Sequence, residues 1–96
     1  MKTIRIKATV GNTYAPKNIL VFISNLDDHH YDKYFESQKS FDQEFEASTG
    51  DYTIKVIGMN HPNDTTTVSV SGDFQLEDTK SSDDENYVLV FMGEVN

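Results

Sequence analysis

The densest concentration of groups that could do chemistry is Asp27-Asp28-His29-His30-Tyr31-Asp32, where carboxylates and imidazoles follow one another along the chain. Carboxylate oxygens suit Ca²⁺ and imidazole nitrogens suit Zn²⁺, so the stretch has the donor types of a metal site. Its spacing works against one. Adjacent His residues on a strand point to opposite faces, His61 is the one further imidazole, and no His-x-x-x-His pair sets two rings on one helix face. The stretch therefore reads as a solvated loop or as a helix start, with its acids near the positive end of the helix dipole. A second acidic tract, Asp78, Asp83, Asp84 and Glu85 with Ser81 and Ser82, lacks the alternating Asp/Asn-plus-Gly order of a calcium loop and contains Lys80. It reads as a mobile polar loop, and calcium is not expected. Asn63-Asp64-Thr65 fits a glycosylation sequon, which carries meaning only in a eukaryotic secretory pathway.

Catalytic signatures are missing. The chain has no Gly-x-Ser-x-Gly elbow, no P-loop and no Gly-x-Gly-x-x-Gly, and its three His lie in turn-like segments without a partner nucleophile. Paired carboxylates are abundant only because acids are. With no Cys there is no disulfide framework, no thiolate nucleophile and no zinc site needing sulfur. The sequence reads as a non-enzyme without cofactor or metal, one single domain over residues 1–96.

The 96 residues carry 8 Lys+Arg against 16 Asp+Glu, a formal charge of −8. The charge is unevenly placed: Lys2, Arg5, Lys7 and Lys17 meet no acid before residue 27, and the acids all follow. The expected meaning is internal, a basic first strand beside an acidic later one, each cross-strand pair worth a few tenths of a kcal/mol. A net negative chain without a long basic cluster repels phosphate, so no nucleic-acid partner is expected. No apolar run approaches the roughly 20 residues that span a bilayer, so no membrane span is expected. Met1-Lys2-Thr3-Ile4-Arg5 alternates and has no continuous apolar block, as expected of a chain that is cytosolic or already trimmed of a leader. The compartment stays open between those two.

The elements that must position these groups are extended. Residues 3–10 place Ile4, Ile6, Ala8 and Val10 on one side and Thr3, Arg5, Lys7 and Thr9 on the other, a half-buried strand. Gly11-Asn12 breaks it and Pro16 excludes a central-strand continuation. Strands follow at Asn18–Ser24, at Asp51–Ile57 between Gly50 and Gly58, at Thr65–Ser71, briefly at Phe74–Leu76, and at Tyr87–Met92. Asn60-His61-Pro62-Asn63-Asp64 is turn chemistry. The stretch 28–47 admits two readings. As a helix it gathers Tyr31, Tyr34, Phe35, Phe41 and Phe45 within an arc of about 120°. As strands it puts Phe41, Phe45 and Ala47 on one face. Gln38 and Asp42 interrupt the helical stripe and the composition is a mediocre helix former, so the strand-rich reading is favoured.

One family resembles this pattern. Ser40-Phe41-Asp42-Gln43-Glu44-Phe45, then Thr49-Gly50-Asp51-Tyr52-Thr53-Ile54-Lys55-Val56-Ile57-Gly58, a Pro-containing turn and Thr67-Val68-Ser69-Val70-Ser71-Gly72 are similar to a segment of carboxypeptidase-regulatory-like domains. Pro16-Lys17-Asn18-Ile19-Leu20-Val21 resembles that family's second strand. The Asp-Gly turn usual before the aromatic strand is replaced here by Gln38-Lys39-Ser40. The resemblance implies a prealbumin-like β-sandwich and a non-catalytic module, used as a spacer, folding accessory or adhesive unit in secreted or cell-envelope proteins. It transfers no functional residue.

Two strands are apolar on both faces: Leu20 and Phe22 oppose Ile19, Val21 and Ile23, and Val88, Val90 and Met92 oppose Tyr87, Leu89 and Phe91. A two-sheet sandwich leaves one face of each strand in water, so the second faces need a cover. The aromatic segment 31–45, a partner chain or a second copy could supply it. The expected molecule is thus an all-β Greek-key β-sandwich of six or seven strands, the alternative being α+β with one helix near residues 28–46. The expected role is a protein-binding or structural module, with a protein partner or homodimer meeting Leu20, Phe22, Val88, Val90 and Met92. The alternative role is a small acidic cytosolic regulator that binds a basic surface.

Overall fold

The computed structural model describes residues 2–11, 18–75 and 78–96, the side chain of Tyr31 excepted. The break read at Asn12 and Pro16, the basic residue Lys17 and the last residue of the brief strand at 74–76 lie outside these. The chain is an all-β sandwich. Its strands are β1 (Lys2–Val10), β2 (Ile19–Asn25), β3 (Lys33–Ser37), β4 (Phe41–Ala47), β5 (Gly50–Met59), β6 (Thr66–Gly72), β7 (Phe74–Gln75), β8 (Asp78–Ser82) and β9 (Asn86–Val95). One sheet runs β4-β1-β6-β8 and the other β3-β2-β5-β9-β7, every pairing antiparallel. No α-helix occurs among the described residues, and His29–Tyr31 forms one 3₁₀ turn. The strand reading of 28–47 therefore holds, with Phe41, Phe45 and Ala47 turned inward on β4.

Period-2 alternation builds the core. Ile4, Ile6 and Ala8 of β1 and Val68 and Val70 of β6 face Ile19, Val21, Ile23, Ile54, Val56, Leu89 and Phe91 across the layer, all buried. Burying a Val, Leu, Ile or Phe side chain stabilises by about 1.5–3 kcal/mol, which makes these inner faces the main source of stability. Phe35 of β3 meets Phe41 and Phe45 of β4 at 4.9 and 5.6 Å, edge-on. The three rings close the side of the sandwich where the two sheets hand the chain from one to the other.

Nine strands are present among the described residues, more than the six or seven expected: β8 has no apolar residue to announce it, and the stretch 28–47 holds two strands. The tract 78–82, expected as a mobile loop, is the edge strand β8: Thr79 and Ser81 hydrogen-bond Ser69 and Thr67 at 3.0 and 2.9 Å on the solvent face. β7 is only two residues long. Gly58, expected to end its strand, lies inside β5 instead, because the ring of Tyr87 on β9 occupies the space that any side chain there would need. Gly72 (φ 85°) does end β6, in a left-handed conformation with Asp73 turning the chain toward Phe74.

Candidate functional site

The stretch Asp27–Asp32 is spent on holding a turn. Asn25, buried at the end of β2, accepts hydrogen bonds from the backbone N–H of Asp27 and Asp28 through Oδ1 (2.8 and 3.0 Å) and donates through Nδ2 to Ser48 Oγ. Asp28 accepts from His30 N–H, Asp32 accepts from Asn25 N–H and lies 3.2 Å from His29 Nδ1, and Asp27 accepts from Asp51 N–H. The acids satisfy backbone donors that strand pairing leaves over. Among the described residues no three His, Cys, Asp or Glu stand close enough together to hold a metal ion. His61 is half-buried in the β5–β6 turn, away from the other two, and Asn63 is exposed at φ 69°.

The second acidic tract is tied down in the same manner by a residue read only as turn chemistry. Asn60 donates from Nδ2 to the carbonyls of Ser82 and Asp84 (2.9 and 2.8 Å), accepts from Thr66 Oγ1 at 2.6 Å, and donates its backbone N–H to Glu85. Beside it the buried Tyr87 phenol is raised above its ordinary value, chiefly because burial disfavours the phenolate; its hydroxyl lies near Thr66 without a well-formed hydrogen bond.

The outer face of the four-stranded sheet pairs opposite charges across β1 and β4. Arg5 and Lys7 of β1 stand opposite Glu44 and Asp42 of β4, and Arg5 holds Asp42 in a fork of 2.7 and 2.5 Å. That hydrogen-bonded contact lowers the Asp42 carboxyl below, and raises the Arg5 guanidinium above, their ordinary values. The basic N-terminal strand is thus matched internally, as its position implied.

The outer face of the five-stranded sheet is different. Strand register brings Leu20, Phe22, Val88, Val90 and Met92 onto it together, with Leu20 level with Ile57 and Val88, and Phe22 level with Lys55 and Val90. Val88 and Met92 are 58 and 66% exposed and Phe22 is 37% exposed. Among its described side chains the segment 31–45 covers them only in part. It places Tyr34 against Phe22 at 5.0 Å, but Phe35, Phe41 and Phe45 turn to the side of the sandwich instead. Comparison with family models, with curated proteins and with solved structures gives no match. The similarity to carboxypeptidase-regulatory-like domains therefore rests on the residue pattern alone.

Three further residues of this face were legible as a pattern but were not singled out. Ile57 and Lys55 belong to the outer alternation of β5, and Leu26 (52% exposed) continues the alternation Leu20, Phe22, Ser24 one step beyond the strand. Leu26, Asp51, Met92 and Glu94 line a shallow depression at one end of the face, and Phe22, Thr53, Lys55 and Ile57 line another at its middle. The edge of the face is guarded. Along residues 86–93 the far side of β9 has no strand partner among the described residues, and Lys80 of β8 reaches across to donate its ammonium to the Val90 carbonyl at 2.5 Å. The same ammonium lies 5.4 Å from the Phe91 ring.

Proposed function

We propose that the protein is a non-enzymatic binding module that docks a protein surface on the outer face of its five-stranded sheet. One observation carries this reading: apolar side chains from β2, β5 and β9 are collected on one solvent-facing surface, while Phe35, Phe41 and Phe45 of the aromatic segment able to cover them pack elsewhere. A contiguous exposed apolar patch on a small soluble domain marks an interaction site, because leaving it in water costs about 25 cal/mol per Å² that a partner would recover. The resemblance to prealbumin-like domains that serve as spacers and adhesive units supports the same role, and with it a secreted or cell-envelope setting. The alternative of a general acidic surface engaging a basic partner has less support, since Asp42 and Glu44 of β4 already face Lys7 and Arg5.

A photo-reactive residue placed at Met92 tests the reading, with the same group at Thr79 on the opposite sheet as control. Cross-linked protein adducts in host extract or in the purified protein are expected from Met92 and not from Thr79. Equal labelling from both positions, or none from either, refutes it.

A further inference from the structure

We infer that the occupant of this face is a second copy of the chain, packed face to face about a two-fold axis that crosses the strands at the level of Thr53 and Met92; this rests on the docking reading above. The argument is charge complementarity along the register. Lys55 and Asp51 stand two residues to either side of Thr53 on the outer side of β5, about 7 Å from it each way. Phe22 and Val90 are level with Lys55, and Glu94 is level with Asp51. Leu26 sits beside Asp51, to whose carbonyl it donates its N–H at 2.8 Å. One row therefore reads Phe22, Lys55, Val90 and the other reads Leu26, Asp51, Glu94.

Each row lacks what the other has. Asp51 and Glu94 are direct cross-strand neighbours of like charge, an arrangement that is destabilising when nothing lies between them. Lys55 stands between Phe22 and Val90 with no ion-pair partner among the described residues. In an isologous interface, residue i of one copy meets residue j of the other and the reverse. An axis across the strands at Thr53 sets each Lys55 over Asp51 of the second copy and one strand away from its Glu94, each Val90 over Glu94 and each Phe22 over Leu26, with the most exposed apolar side chain, Met92, beside the axis. Two other two-fold choices fail on charge. An axis along β5 stacks Lys55 on Lys55 and Asp51 on Asp51, and an axis across the strands at Lys55 again opposes two ammonium groups.

The axis at Thr53 lies off the middle of β5, so the two copies overlap over the Gly50–Val56 part of that strand and the row of Leu20, Ile57 and Val88 lies at the rim of the contact. The net charge of −8 on each copy opposes association, which places the weight on the Lys55 contacts and on burial of Phe22, Leu26 and Met92.

Sedimentation of the purified chain is expected to show a concentration-dependent dimer. Lys55→Glu weakens it by roughly tenfold or more, because like charges then meet across the interface. Asp51→Lys with Glu94→Lys does the same, and mixing the two variants restores association as a heterodimer. Since the chain has no Cys, Thr53→Cys joined by a short bis-maleimide locates the axis: it gives a covalent dimer, whereas Lys55→Cys and Asp51→Cys link only when mixed. All these side chains lie on the solvent face, and circular dichroism of each variant checks that it is folded. A wild type that stays monomeric at about 1 mM, or a dimer indifferent to Lys55→Glu, overturns the inference. Heterologous adducts from Met92 on a monomeric wild type would remove the second copy while leaving the docking face intact; absence of both dimer and adducts would remove both.

Discussion

At the residue scale, polar side chains that resemble ligands or catalysts are occupied with backbone. Asn25 and Asn60 each sit buried at a strand end and gather chain segments by hydrogen bonds. Removing such a group leaves several buried partners unsatisfied, each costing about 1–3 kcal/mol. Asn60→Ala is therefore expected to destabilise by about 3 kcal/mol. In a domain of this size that lowers Tm by about 10 °C or more in a calorimetric scan. The buried Tyr87 phenol gives a pH signature of opposite kind to an acid limb. Its folded value is raised, so the stability it contributes is complete below its ordinary value near 10 and is lost as pH rises through the raised one. Tyr87→Phe should make denaturant midpoints less sensitive to pH above 10 than those of the wild type; an unchanged alkaline slope would count against burial of the neutral phenol.

At the element scale, the strands differ in how openly their sequences announce them. β1, β5 and β6 alternate in side-chain type because one of their faces lies in the core, and β2 and β9 stand out as apolar runs. β8 carries no such mark. Its side chains are polar on both sides because it is an edge, and its inward Lys80 serves the neighbouring strand rather than the core. A lysine on an open strand edge blocks pairing with another chain. Lys80→Thr is expected to speed aggregation into thioflavin-positive material while changing Tm by only a few degrees, since about one surface hydrogen bond is lost. No change in aggregation rate would show that the β9 edge is protected by something else.

At the scale of the whole molecule, the two sheets present opposite surfaces. One is hydroxyl-rich and sets Arg5 and Lys7 against Asp42 and Glu44; the other mixes apolar side chains with Asp51, Glu94 and Glu36 and with Lys55, which has no ion-pair partner among the described residues. If a second copy meets that face, folding is linked to association, and a species that binds only the native state raises the melting point with concentration. The wild-type Tm should rise between low-micromolar and millimolar protein, and that of Lys55→Glu should not; parallel behaviour of the two would contradict a Lys55-dependent dimer. Alternation alone, read along the chain, determined the β class, the inner ribs of the core and the surplus of apolar faces on β2 and β9, because side-chain direction in a strand is set by position parity. The sequence also shows four of its eight basic residues ahead of every acid. What only the tertiary structure decided is which neighbour each strand takes. Register is a long-range property, and it alone put Leu20, Phe22, Val88, Val90 and Met92 on one surface, set Asp51 against Glu94, and sent the aromatic rings of β3 and β4 to the side of the sandwich and away from its face.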